Sequence, residues 1–279
     1  MTRSPLPFLG QKTKFIKYFK EVLFNMQSDG FINNETLFID IFGGSGLLSH
    51  TIKQMFPNNR VIYNDYDNFK ERLDNIEITE SLRAEIYEVI QKDATLQRDT
   101  YLQKNTYLQI NQIIQNYINN NYYIDWISIS AWLMFKYNYC YNLETLQKNK
   151  YYNRIAKKPL KKGNYLEGVE FIRLDFLEVL NKYNNINNKI LILDPPYLKT
   201  NCEGYVSAFS IKKTILMLKN TQKPFILFSS ERTELIDLIE LFDLFDLIDL
   251  KPYKILYPFN RLNKQLNEYI IYTNNNTLI

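Results

Sequence analysis

The run Ile190-Leu191-Ile192-Leu193, closed by Asp194-Pro195-Pro196-Tyr197, limits the possible folds more than any other stretch of the chain. Four consecutive branched apolar residues without polar alternation fit a strand buried on both faces, the habit of interior parallel strands in α/β sheets. The proline pair ends that strand, because each ring fixes φ and Pro196 keeps Pro195 out of the helical region. Open α/β sheets bind ligands outside the carboxyl ends of their strands, so Asp194 and Tyr197 stand where a ligand is expected. An acceptor-only carboxylate, a backbone carbonyl at Pro195 and an aromatic ring together suit a flat ligand bearing an NH₂ group. Taken alone, the four residues also fit a plain strand end with a capping Asp and a packed Tyr.

The flanking sequence supplies the rest of such a sheet. Residues 36–40 read as a short strand, Phe42-Gly43-Gly44-Ser45-Gly46 as a glycine turn, 47–56 as a helix, and 60–63 as a second strand that ends at Asn64-Asp65. An amphipathic helix over 13–26 precedes them. Strands resume at 170–174, 189–193 and 224–229, with helical patterns at 176–183 and 212–218. Residues 253–257 and 268–272 read as a closing hairpin at the sheet edge. Acids at 237, 240, 243, 246 and 249 fit a solvated helix face over 231–250, with a strand as the alternative for its later part.

Between about residues 68 and 168 the rhythm breaks. Helical patterns at 73–91 and 107–117 lead to an aromatic run over 126–141, in which Trp126, Trp132, Phe135 and Tyr137 read as a small core, and then to a basic loop. A hundred residues without βαβ alternation argue for an inserted domain. The expectation is a doubly wound, mostly parallel α/β sheet built from 1–67 and 169–279, with a largely helical insertion at 68–168.

Composition removes several chemistries. Cys140 and Cys202 are the only cysteines of the 279 residues, which supports neither a disulfide scaffold nor a thiolate zinc site and fits a reducing cytoplasm. His50 is the one histidine, so histidine-based triads and metal sites lack material, and no metal is expected. His50 itself, in a helix after the glycine turn, reads as a surface or packing residue. Residues 1–5 lead into no apolar leader, and no stretch approaches the roughly 18 apolar residues of a membrane span. The net charge of +4 is too mild to hold nucleic acid by itself, so its distribution matters more than its sum.

Gly44 and Gly46 allow close backbone approach to a ligand at a partially positive helix start, and Asp65 ends the next strand where a nucleotide-binding site places a ribose-binding acid. The turn lacks the Gly-Lys-Ser/Thr of a phosphate loop, and Asp40 before it suits a cationic or zwitterionic group better than a triphosphate.

Together these motifs resemble the Dam-like family of S-adenosylmethionine-dependent DNA adenine N6-methyltransferases. Pro7-Phe8-Leu9-Gly10-Gln11-Lys12 is similar to the family's N-terminal motif, with Gln11 in place of a glycine; Asp40 to Gly46 is similar to its glycine loop; Asn64-Asp65, Asp175-Phe176 and Asp194-Pro195-Pro196-Tyr197 follow in family order. Asn260-Arg261, Lys264 and Glu268-Tyr269-Ile270 resemble its C-terminal motif more loosely. The resemblance implies a class I methyltransferase, Rossmann-like fold with a target-recognition insertion. It implies that Phe8, Lys12, Asp40, Phe42, Gly44, Gly46, Asp65, Asp175 and Phe176 bind S-adenosylmethionine, with Lys12 reaching the methionine carboxylate. Asp194, Pro195, Pro196 and Tyr197 would then form the catalytic pocket for an adenine flipped out of double-stranded DNA. A separate cognate restriction endonuclease would be a partner, and a membrane would not. Lys148, Lys150, Arg154, Lys157, Lys158, Lys161 and Lys162, interleaved with Tyr151 and Tyr152 and free of acids, suit phosphates and exposed bases. The residues leave open an RNA adenine methyltransferase and a binding protein without turnover.

Overall fold

The structure, a computed structural model, describes residues 3–92, 97–135, 139–196, 209–230, 235, 238–239, 253–256, 260–261, 264–265 and 268–273. Its strands are β1 (Leu37–Asp40), β2 (Val61–Asn64), β3 (Glu170–Ile172), β4 (Lys189–Leu193), β5 (Phe225–Ser230), β6 (Tyr253–Leu256), β7 (Asn260–Arg261), β8 (Lys264–Gln265) and β9 (Glu268–Thr273). Seven form one sheet in the order β3-β2-β1-β4-β5-β9-β6, while β7 and β8 pair separately. β1 to β5 are parallel, and β9 joins antiparallel between β5 and β6. The strand expected at 189–193 keeps its bounds. The two last strands do pair with each other, but β9 lies inside the sheet and β6 at its edge. Tyr197, Cys202, Tyr137 and nearly all of 231–250 lie outside the described residues.

Alternation along β1 explains the two faces. Leu37, Ile39 and Ile41 join Leu191, Leu193, Phe225 and Leu227 in a cluster with Val179 and Leu180 of α8 (Phe176–Tyr183) and Met217 and Leu218 of α9 (Ile211–Asn220). Phe38 stacks instead on Phe56, just after α2 (Leu47–Met55). Phe228 meets Phe15 and Phe19 of the segment opening α1 (Ile16–Ser28). Helices therefore cover both faces, and β1, β2 and β4 between them are uniformly buried, as continuous apolar runs require.

Compactness groups Gln11–Asp67 with Leu166–Ile279 in one unit and Ser4–Gly10 with Asn68–Tyr165 in another. In the second unit the pattern expected as one helix over 73–91 is broken at Asn75 into α3 (Phe69–Asp74) and α4 (Ile76–Gln91). α4, α5 (Lys104–Asn119), α6 (Trp126–Leu133) and α7 (Leu143–Gln147) bury a core of Leu82, Ile86, Ile110, Ile114, Trp132 and Leu146. Spacings of four residues along α4 and α5 put these apolar side chains on one stripe. Arg72 Nε and Nη2 donate to Asp125 at 3.0–3.1 Å, and Nη2 also donates to the Pro7 carbonyl at 2.8 Å, which ties the N-terminal segment into this unit. Phe135, expected in the core, is 54% exposed. α6 ends at Leu133, so Phe135 falls on the extended chain beyond the helix's inward stripe. Among the described residues no helix is long and apolar enough to cross a membrane.

Candidate active site

Chain order reverses direction in the sheet between β1 and β4, with β2 and β3 on one side and β5 on the other. Such a switch point leaves a crevice at the carboxyl ends of the two strands. Asp40 ends β1 and Asp194 follows β4, and the register Asp40↔Ile192 makes them near neighbours across that crevice. Asp65 follows β2 and Asp175 follows β3, so four adjacent strands each deliver a carboxylate to the same sheet edge.

Asp40 is fully buried. Ser49 of α2 donates to its Oδ2 at 2.6 Å, while Oδ1 has no hydrogen-bond partner among the described residues. Burial, and secondarily the charge of Asp194, pushes its carboxyl up to about 7 despite the Ser49 hydrogen bond. A buried acceptor with one unused oxygen at a ligand crevice is a fitting receptor for an ammonium group, so the residues present accommodate an amino-acid-bearing cofactor.

The glycine turn is shaped by what presses on it. Gly46 has φ +72° at the start of α2, and a Cβ there would meet Leu166 Cδ1 at 2.6 Å. Gly43 leaves no room for a side chain beside the Tyr63 ring, and the Tyr63 hydroxyl sits 2.7 Å from the Gly44 carbonyl and 3.1 Å from Asp65 Oδ1. Its single proton serves one or the other, so Tyr63 links the turn to Asp65. Asn64 closes the neighbouring strand ends: Nδ2 donates to the carbonyls of Ile41 and Leu174, and Oδ1 accepts from Leu174 N. Asn64 falls within the Asn64-Asp65 motif, whereas Ser49 and Tyr63 carry no motif signal beyond their positions in α2 and next to that motif.

Other expected site residues have visible local work. Asp175 caps α8, accepting from Leu177 N at 2.9 Å within a full capping box with Glu178. Phe42 stacks on Phe176 at 5.6 Å and meets Phe209 edge-on. Lys12 lies 2.6 Å from Asp194 Oδ1, a different partner from the cofactor carboxylate that its motif implies. Pro195 is buried, and no described residue donates to its carbonyl. Phe8 belongs to the second unit, where it packs edge-on against Phe69 at 5.7 Å. His50 is buried, with Nδ1 accepting from Leu166 N; burial lowers its pKa to about 4, which fits packing rather than proton transfer.

In the second unit residues 150–155 alternate. Lys150 is exposed and Tyr152 and Arg154 are half-buried, whereas Tyr151, Asn153 and Ile155 are buried, and Tyr151 donates to Asn111 instead of facing solvent. Arg154 is engaged by Asp99 and the carbonyls of Met134 and Phe135. Lys148 pairs with Glu144 and Lys162 with Asp74, exposed contacts of the kind worth about 0–1 kcal/mol and easily exchanged for a phosphate. Lys150 lies over the Tyr101 ring, and Lys157, Lys158 and Lys161 are exposed.

A mostly parallel sheet with helices on both faces, a glycine turn after β1 and acids at the switch point define a class I methyltransferase of Rossmann-like fold. Residues 8–238 match the D12 class N6 adenine-specific DNA methyltransferases, and the chain belongs to that family. A Haemophilus influenzae protein that bears the provisional name of methyltransferase is 36% identical over 242 residues, covering 84% of this chain and 78% of the relative. The family's activity is methylation of the adenine N6 amine in DNA.

Proposed function

We propose that the protein is a site-specific, adenine-specific DNA methyltransferase that binds S-adenosylmethionine at the β1/β4 switch point and takes a flipped adenine against Asp194. The meeting of Asp40 and Asp194 across that crevice is the observation that carries the reading. S-adenosylmethionine, when bound, supplies a methyl group on a positively charged sulfur. Asp40 is suited to its ammonium, Asp65 to its ribose hydroxyls, and Gly44 and Gly46 to close backbone approach. Phe42, Phe176 and Asp175 stand beside them as adenine contacts of the cofactor, while Phe8 enters on its motif alone.

An adenine amine is a weak nucleophile because its lone pair is delocalised into the ring. Donation of its hydrogens to Asp194 and to the Pro195 carbonyl favours a tetrahedral nitrogen with its lone pair directed at the methyl donor. Asp194 is then the acceptor nearest the proton that the nitrogen loses after transfer. Tyr197 is proposed to stack on the base, and Lys148 to Lys162 to hold duplex phosphates. A restriction endonuclease acting on the same sequence is the proposed biological partner.

The test uses labelled cofactor with matched duplex DNA and RNA. Asp194→Ala should abolish transfer and keep cofactor binding, whereas Asp65→Ala should chiefly weaken cofactor binding. Equal loss of cofactor affinity in both variants, or transfer to RNA but not DNA, would overturn the assignment.

A further inference from the structure

The Lys12 ammonium and Asp194 Oδ1 are 2.6 Å apart, with side chains only 9% and 15% exposed. Water screens such a pair poorly, and a cation this close favours the ionised carboxylate. The rings of Phe15 and Phe228 lie 5.8 and 6.0 Å from the nitrogen and limit where the ammonium can go. Asp40, at the adjacent strand end, has Ser49 as a hydrogen-bond donor and no ion pair among the described residues. Two carboxylates at adjacent strand ends, Asp40 fully buried and Asp194 half-buried, disfavour double ionisation, and a cation beside one of them favours the charge there.

We infer that Lys12 is a positioning residue of the base pocket: it acts on methyl transfer through Asp194, keeping that carboxylate ionised and aimed, rather than on the cofactor through its carboxylate. This rests on the proposed role of Asp194 as the group that grips the target amine. The chemistry requires such a partner. An ionised carboxylate only accepts hydrogen bonds, whereas a protonated one presents an O–H donor that opposes the N–H bonds of the amine. The Asp40 pKa, raised chiefly by the carboxyl's own burial and further by the charge of Asp194, agrees with a charge held at Asp194.

Lys12→Met and Lys12→Arg, measured in two ways, test the inference. Cofactor affinity is read by calorimetry, and single-turnover methylation of duplex DNA is read across pH. Lys12→Met is expected to bind cofactor as the wild type does while the acid limb of its rate profile moves up by about one pH unit or more. Lys12→Arg is expected to restore the limb. Weakened cofactor binding with an unmoved limb assigns Lys12 to the cofactor and overturns the inference, as does a profile unmoved with affinity intact. Carbon NMR of labelled aspartate carboxyls in wild-type and Lys12→Gln protein reads the ionisation of Asp194 without turnover. A wild type that transfers no methyl group while this titration still depends on Lys12 defeats the functional reading and leaves the pairing standing; a titration indifferent to Lys12 defeats the pairing.

Discussion

Adding one methyl group at Gly43 tests the construction of the glycine turn after β1. A Cβ there would lie 2.1 and 2.2 Å from two carbons of the Tyr63 ring and 2.9 Å from the Asn64 carbonyl. The ring has little room to retreat, because Tyr63 is fully buried and its ring also meets Phe171 edge-on at 5.3 Å. Overpacking of this kind costs about 1–3 kcal/mol. A displaced ring also takes its hydroxyl from Gly44 and Asp65, and one lost hydrogen bond adds about 0.5–1.5 kcal/mol. Gly43→Ala should therefore lose about 2–4 kcal/mol in urea unfolding, with weaker cofactor binding because the turn and Asp65 lose their common anchor. The double variant with Tyr63→Ala removes the ring that the methyl strikes, so the two changes should be less damaging together than summed, by about 1–3 kcal/mol. A Gly43→Ala protein with the wild-type urea midpoint, or strict additivity in the double variant, refutes the steric account.

The Asp40 carboxyl, raised from 3.8 to about 7 by burial, makes folding take up a proton between those values. Its contribution is full below pH 3.8 and is lost as pH rises toward 7. Wild-type stability should accordingly fall relative to Asp40→Asn across that window, by at most about 4 kcal/mol; parallel stability curves would contradict it. Asp125→Leu should cost about 3–5 kcal/mol in thermal unfolding by leaving Arg72 buried without its partner, and Arg72→Leu added to it should recover much of the loss apart from the α6 cap. Replacing Lys157, Lys158 and Lys161 with Ala should weaken DNA binding and flatten its salt dependence by about 0.9 for each phosphate that is no longer neutralised. An unchanged salt slope would remove that loop from the interface.

Elements with a strong local cause were legible in the sequence. β4 was visible because no polar residue interrupts the apolar run 190–193, and the acids at the ends of β1, β2 and β4 follow from strand ends that turn motifs mark. Pairings between distant segments were not. Nothing near Lys12 in sequence indicates that its ammonium meets Asp194, and nothing in Gly43 reports the Tyr63 ring above it. In the basic loop the run of charge masks a period: 150–155 alternate, and the alternation divides Tyr151 from Tyr152. Phe135 lies past the end of α6, a boundary that the aromatic run does not mark.

β2 and β3 are hydrogen-bonded neighbours, with Ile62 opposite Glu170, although about a hundred residues run between them. The entropy of closing such a loop grows only with the logarithm of its length, about 0.6 kcal/mol for each doubling. Halving or doubling the segment between Asp67 and Leu166 therefore changes little in the loop-closure part of the free energy of pairing these strands. Their register is fixed elsewhere, by the pleat and by the Asn64 clasp. A chain built this way can exchange its inserted segment for a longer, shorter or unrelated one while the sheet and its four strand-end carboxylates stay where they are.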